Sequence, residues 1–365
     1  MRFKVCLQRR LGRMSRVITF AEAIREALHQ AMAADQNIIV FGLGVDDPKA
    51  IFGTTAGLQE AFGSERVFDT PTSENAMTGV GIGAALNGTR PVMVHQRLDF
   101  FLLAMDQLVN SAAKWHFMFG GQGKVPITIR LIMGRGWGQG PTHSQNLQAW
   151  FAHIPGLKVV MPATAEDAKG LLLESIQDDN PVIFLEHRWL HNIKGQVSEE
   201  PKCIQLGKAR TVQEGFDITL VAISYMVIEA IHAAEFLITQ GISCEVLDLR
   251  TISPLDWQSV FNSTAKTGRI LVLDTATTTG SISGEIVSRV ADKCWEILKC
   301  APQRLAMPDY PESTSFALTA NYHVRAEHIA EKVSQMLGRK IDTGPLSMQR
   351  EHPHDVPGDW FTGPF

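Results

Sequence analysis

The chain has 365 residues, 45% of them hydrophobic, with 34 basic against 38 acidic side chains. This balance describes a globular chain of about two domains and leaves no electrostatic footprint for nucleic acid. No apolar run approaches the roughly 18 to 20 residues that span a bilayer, so no membrane segment is expected. The five cysteines, Cys6, Cys203, Cys244, Cys294 and Cys300, lack CxxC or zinc spacing, and a reducing cytoplasm is the natural compartment.

Residues 1–16, MRFKVCLQRRLGRMSR, hold six basic and no acidic side chains. An organellar transit peptide has that composition, and a start extended upstream of Met14 explains it equally. A first domain is expected over residues 17–195. Within it, the β-branched and aromatic run ending at Asp69 reads as a strand. Pro71, Thr72 and Ser73 then supply turn and capping chemistry for a helix that begins near Glu74. Glu74 is thus a lone carboxylate at a helix N-terminus, although a first-turn acid favoured by the helix dipole is the plain alternative. Gly79, Gly81, Gly83, Ala84 and Ala85 give this helix a small-residue face that admits a sheet, a second chain or a flat cofactor, and Gly88 ends it.

Next come the strand PVMVHQ, the aromatic pair Phe100 and Phe101, the helix MDQLVNSAAKWHFMF and the strand VPITIRLIM. The stretch GRGWGQGPTHSQ places four glycines around His143, after which LQAWFAHIPGLKVVMPAT returns to helix and strand. Strand-end loops bearing Glu74 and His143 are expected to converge. A lone histidine is more often structural, but a Gly-rich loop has no core for it to fill.

A second domain, over residues 196–340, follows the polar stretch HNIKGQVSEEPKCIQLGKAR. Its strands ITLVAIS, SCEVLDL and RILVLDT are separated by helical patterns such as MVIEAIHAAEFLIT, which predicts another parallel layer. The fold class is therefore α/β, with two doubly wound, mostly parallel sheet domains. The tail, residues 341–365, combines Pro, Gly and polar residues with Trp360, Phe361 and Phe365. Its composition suggests disorder, and its aromatics suggest anchorage to a neighbouring subunit.

Five blocks stand in a telling order: DTPTSENAMTGVGIGAALNGTRP, MDQLVNSAAKW, THSQNLQAWFAHIPGLKVVMPATAEDAKGLL, QDDNPVIFLE and DLRTISPLDW. On them the chain resembles, over roughly residues 17–335, the beta subunits of thiamine-diphosphate-dependent 2-oxo acid dehydrogenases. The resemblance implies a transketolase-like pyrimidine-binding domain, then a smaller transketolase C-terminal-like domain that chiefly buries subunit interfaces. It gives Glu74 a hydrogen bond to a ring nitrogen of the cofactor's aminopyrimidine, favouring the imino form that takes a proton from the thiazolium carbon. A carboxyl that holds or shares such a proton needs a low-dielectric site. Phe101 matches the aromatic that packs on the aminopyrimidine, with plain core packing as its alternative, and Thr72 and Gly44 are further cofactor contacts. His143 matches a histidine at the mouth of the site that assists the oxo acid carboxylate or the later acyl transfer. A structural monovalent cation, K⁺, is implied near SIQDDNP at Ile127, Ser175, Asp178 and Asn180, where a simple turn before Pro181 fits equally.

The chain has no GDG motif of the kind that holds the cofactor's diphosphate and Mg²⁺, and no acidic loop suited to an octahedral oxygen shell. Both are therefore expected mainly on an alpha subunit, in an alpha2beta2 heterotetramer with shared active sites. The reaction implied is oxidative decarboxylation of a 2-oxo acid with acyl transfer to lipoyllysine on an acyltransferase core. Some positions depart from the family pattern. Leu43 and Gly44 stand where acids are usual, and His95 replaces an acid in the strand after Pro91. Gln96, Arg97, Leu98 and Asp99 then follow where the family is more apolar. A split transketolase-like enzyme using the same glutamate is an alternative, against which the AWFAHIPGLKVV block speaks, and the departures suggest a specialised thiamine enzyme with no lipoyl acceptor in which Arg97 pairs a substrate carboxylate or phosphate. A non-catalytic scaffold subunit is the alternative from another class, and the intact Glu74, Phe101 and His143 speak against it.

Overall fold

A computed structural model describes residues 15–136, 138–348, 350 and 352–363. The basic extension up to Met14 lies outside the described residues, as do Cys6 and Phe365. The chain divides into two compact units, one of residues to 132, 154–186 and 190–206, the other of 133–153, 187–189 and 207–365. Residues 133–153, with His143, thus cluster with the second unit, and the chain passes to that unit at 207 rather than 196.

The strands of the first unit are β1 (Ser15–Thr19), β2 (Ile38–Gly42), β3 (Val67–Asp69), β4 (Arg90–His95), β5 (Thr128–Met133), β6 (Lys158–Val160), β7 (Val182–His187) and β8 (Lys194–Ser198). The central sheet takes them in the order β6-β7-β5-β4-β2-β3, with parallel pairing at β2–β3, β2–β4, β4–β5 and β6–β7. Central strands of a parallel sheet are covered on both faces and read as continuous apolar runs. The β4 residues Val92, Met93 and Val94 are accordingly fully buried, but so is the polar His95. The polar stretch expected to link the domains contains β8, which pairs antiparallel with β1 from Ser15 opposite Ser198 to Thr19 opposite Lys194. The following helix, Phe20–Ala34, is started by a capping box between Thr19 and Glu22 and buries Phe20, Ile24, Leu28 and Met32.

From β2 the chain steps to β3 on one side, then crosses back to β4 on the other side of β2 and moves on to β5. The strand order therefore reverses between β2 and β4, and in open α/β sheets ligands bind off the carboxyl ends at such a point. Helix Glu74–Leu86 lies close on this sheet. A Cβ on Gly81 would come within 3.0 Å of Phe41 and 3.1 Å of Ile127, so the small residue sets the helix-to-sheet distance. The run expected as one helix from Met105 begins with a wide π-helical segment, Gln107–Ala112, and becomes α-helical at Ala113–Met118.

The second unit contains β9 (Arg210–Gln213), β10 (Ile218–Ala222), β11 (Cys244–Asp248), β12 (Thr251–Ser253), β13 (Ile270–Thr277) and β14 (Gln303–Met307). Its sheet runs β14-β13-β10-β11-β9, parallel except for β9 against β11. The helices Met226–Thr239, Trp257–Thr267, Ile282–Lys293 and Ala326–Leu337 complete it.

The tail does not behave as its Pro/Gly composition suggests, because it docks on its own unit. Arg325 donates to the carbonyls of His354 at 2.9 Å and Val356 at 3.0 Å, and Trp360 Nε1 donates to the Trp189 carbonyl at 3.0 Å. Arg188 stacks over Phe361 at 5.2 Å, and Asp355 is buried against Arg135. Composition points to disorder when a segment lacks partners, whereas here buried Arg325 holds two carbonyls of the tail and Arg135 its Asp355 carboxylate.

Candidate active site

Glu74 is the first residue of its helix and only 7% exposed, just past the carboxyl end of β3. Ser73 is the N-cap residue but forms no side-chain cap bond, so the capping expected from it is not realised. Asp69, at the end of β3, accepts the amides of Gly44 at 2.8 Å and Val45 at 2.5 Å, which ties the loop after β2 to the start of this turn. Gly44 has φ +79°, and a Cβ there would run into the Gln96 side chain of the loop after β4. Three adjacent strand ends are thereby joined around one glycine whose backbone no other residue fits without strain. Thr72 is exposed in the connection to the helix, and Phe101 is fully buried beyond β4. The structure therefore places Gly44, Thr72, Glu74 and Phe101 along one edge of the first unit. Beside the same helix lies an apolar cavity of about 270 Å³ lined by Phe41, Phe68, Pro71, Met77 and Val80, and Val80 itself is 69% exposed.

The polar residues His95, Arg97 and Asp99 are buried at this edge. His95 is fully buried, and neither ring nitrogen has a hydrogen-bond partner among the described residues. Its ring meets Phe101 edge-on with centroids 5.0 Å apart. Burial pulls its pKa down to about 4, so the imidazole is neutral. Burial likewise lowers Arg97 to about 10, opposed by the nearby Asp99, and the guanidinium lies 6.0 Å from the Phe52 ring centre. Phe52 is the last of three successive non-glycine residues with positive φ, Ala50, Ile51 and Phe52 at +46°, +47° and +58°, and Gly53 follows at +83°. Such conformations cost about 1–2 kcal/mol per residue and persist where surrounding structure enforces them.

His143 belongs to the second unit and Glu74 to the first. His143 is half-buried, its Nδ1 lies 3.0 Å from Thr142 Oγ1, and its amide donates to the Gly140 carbonyl at 3.1 Å. The residues expected around a monovalent cation make other bonds. The Ile127 carbonyl accepts the Val182 amide, and the Ser175 hydroxyl donates to Leu171. The Asp178 carboxylate pairs with Lys158 and accepts the Asn180 amide at 2.9 Å, while its carbonyl accepts from Arg90 at 3.0 Å. These bonds hold the segment as a turn beside Lys158 and Arg90, and each carbonyl keeps a second lone pair. No cluster of three or more His, Cys, Asp or Glu side chains suited to a metal ion occurs among the described residues.

Sequence reasoning missed a buried triad under the sheet. Arg130 on β5 grips Glu186 on β7 through Nε at 2.6 Å and Nη2 at 2.9 Å, and His191 Nε2 lies 3.3 Å from the same carboxylate. Burial raises the Glu186 carboxyl, but Arg130 and His191 outweigh it and bring the pKa to about 2. Residues 56 positions apart carry no local signal of such a pair.

Residues 16–193 match the family described as transketolase, pyrimidine binding domain, and residues 207–329 match transketolase, C-terminal domain. The beta subunit of acetoin:2,6-dichlorophenolindophenol oxidoreductase from Bacillus subtilis (strain 168) is 40% identical over 337 residues, 89% of this chain and 98% of that one. The 2-oxoisovalerate dehydrogenase subunit beta of the same organism is also 40% identical, over 81% of this chain and 90% of its own. The chain belongs to the beta-subunit family of thiamine-diphosphate-dependent 2-oxo acid and acetoin dehydrogenases. The pyruvate dehydrogenase E1 component subunit beta of Rickettsia bellii (strain RML369-C) is a similarly placed family member, at 40% identity over 80% of this chain and 90% of its own. A split gene transketolase solved as an inactive beta4 tetramer shares the fold with a TM-score of 0.72 at 20% identity, covering 89% of this chain and 99% of that one. Because these relatives are beta subunits, family membership implies an alpha partner. Among the described residues, no helix is long and apolar enough to cross a membrane.

Proposed function

We propose that this beta subunit forms the pyrimidine-binding half of an enzyme that oxidatively decarboxylates a small 2-oxo acid and passes the acyl unit to a lipoyl carrier. The observation that carries the reading is the nearly buried Glu74 carboxyl just past the carboxyl end of β3, the strand next to the β2–β4 point at which the strand order reverses. Thiamine diphosphate, when bound, supplies a nucleophilic carbon and an electron sink for the cleaved bond. The residues present fit its pyrimidine end. Glu74, nearly buried at the start of its helix, would hold and exchange a proton at a pyrimidine nitrogen. Gly44, fixed by Asp69, lets the backbone approach, while Phe101, fully buried against His95, packs behind the site. His143 serves as proton donor or charge partner for the substrate. The diphosphate and its Mg²⁺ are assigned to the alpha subunit, in an alpha2beta2 assembly. The exposed Val80 and the apolar cavity along the Glu74 helix support burial of this helix against a partner.

A second reading, cleavage of a hydroxyketone such as acetoin, is favoured by the relative of that name that this chain covers over 98% of its length. The polar His95, Arg97 and Asp99 beside Phe101 also favour it.

The test is to titrate thiamine diphosphate with Mg²⁺ calorimetrically into this chain, into a co-purifying alpha subunit and into the mixture. Binding by the mixture alone is expected. Tight binding by this chain alone would refute the division of labour.

A further inference from the structure

Arg135 opens the glycine-rich loop that leads to His143, and its side chain is 1% exposed. Its Nη1 donates to the Gln139 carbonyl within the loop at 2.8 Å and to the Ser313 carbonyl at 2.8 Å, and lies 3.2 Å from Glu312. Its Nη2 reaches Asp355 of the C-terminal segment at 3.1 Å. Glu312 is a poor match for the guanidinium charge. Burial pushes its carboxyl up to about 8 against the pull of Arg135, and it also faces His323 at 3.2 Å. Asp355 is the other carboxylate on Arg135, and the carbonyls on either side of it, His354 and Val356, are both held by the buried Arg325. Trp360 secures the segment further along by its bond to the Trp189 carbonyl.

The loop needs such a hold. Gly134, Gly136, Gly138 and Gly140 make it entropically expensive to order. The Gln139 carbonyl is fixed by Arg135, Gly136 donates to Gln139 Oε1 at 3.0 Å, and Gly140 is pressed against Thr314. The Gly140 carbonyl in turn receives the His143 amide. A continuous chain of bonds therefore runs from the C-terminal segment to the backbone of His143.

We infer that the C-terminal segment is a strap that positions the His143 loop, with Asp355 a positioning residue that acts through Arg135. The inference rests on the substrate-side role proposed above for His143. Small misplacements of a reacting group cost up to about a hundredfold in rate.

The test is kinetic, on the assembled alpha–beta enzyme at a temperature well below unfolding. Asp355→Ala should lower kcat/KM by about tenfold or more while thiamine diphosphate affinity stays at the wild-type value. In a His143→Ala background the same substitution should have no further effect, because the group being positioned is gone. Asp355→Asn keeps an acceptor toward Nη2 and provides the comparison should the alanine variant fail to fold. Equal losses in both backgrounds would mark Asp355 as structural and overturn the inference, as would unchanged kinetics in the single variant. A His143→Ala enzyme with wild-type kinetics would overturn the reading of His143, and the inference with it.

Discussion

Replacing His95 by phenylalanine should stabilise the isolated chain, and by more at acid pH than at pH 8. The imidazole is fully buried with both nitrogens unpartnered among the described residues, and an unsatisfied buried polar atom costs about 1–3 kcal/mol. Phenylalanine has a similar shape, keeps the edge-on contact with Phe101 and carries no polar atom. The pH dependence follows from the displaced pKa. The ordinary value is 6.5 and the folded value about 4, so below pH 6.5 the unfolded chain takes up a proton that the folded chain refuses. Stability is thus lost by the wild type as pH falls from 6.5 towards 4, by about 2 kcal/mol at pH 5 and about 3 kcal/mol at pH 4. The assay is urea unfolding of both chains between pH 8 and pH 5, followed by tryptophan fluorescence. The variant should be more stable throughout, with a margin that widens on acidification. Parallel stability curves, or a less stable variant, would refute the reasoning by showing that the imidazole is satisfied in the folded state.

Other substitutions probe the frame that supports the site. Glu186→Gln should cost about 3–5 kcal/mol at pH 7 in the same unfolding assay, because it leaves the fully buried Arg130 without its counter-charge. The folded pKa of Glu186 is depressed to about 2 from 4.5, so its contribution is present above pH 4.5 and is lost as pH falls through 2. A cost under about 1 kcal/mol at pH 7 would show the pair to be solvated. Gly81→Val should destabilise by about 1–3 kcal/mol through overpacking on Phe41 and Ile127, whereas Gly83→Ala, which meets nothing within 4 Å, should be tolerated. Thermal shifts of the two variants separate these outcomes.

What the sequence made legible was local. The strand end at Asp69, the helix from Glu74 and the close-packing Gly81 follow from turn residues and glycine spacing within about twenty positions. The strands PVMVHQ and ITLVAIS, and the helix MVIEAIHAAEFLIT, follow from periodicity. What stayed hidden depends on partners far along the chain. β8 looks like a polar connector until β1 pairs with it, and a π-helical turn at Gln107–Ala112 has the same apolar spacing as an α-helix. The tail reads as disordered because composition cannot show that Arg325 and Arg135, on distant elements, present donors for its backbone and for Asp355. Around the proposed site, the resemblance pointed to Glu74, Thr72, Gly44 and Phe101. That Asp69 fixes Gly44, and that His95 is buried without a partner, emerged from the strand order, which brings the ends of β2, β3 and β4 together.

The central claim is that Glu74 activates the pyrimidine end of thiamine diphosphate. Proton exchange at the thiazolium carbon, measured by NMR on the assembled alpha–beta enzyme, tests it most directly. Glu74→Ala should slow this exchange by about a hundredfold to ten-thousandfold, the usual span for a positioned proton-transfer group, while sedimentation shows the assembly intact. Exchange at the wild-type rate in the variant would contradict the claim.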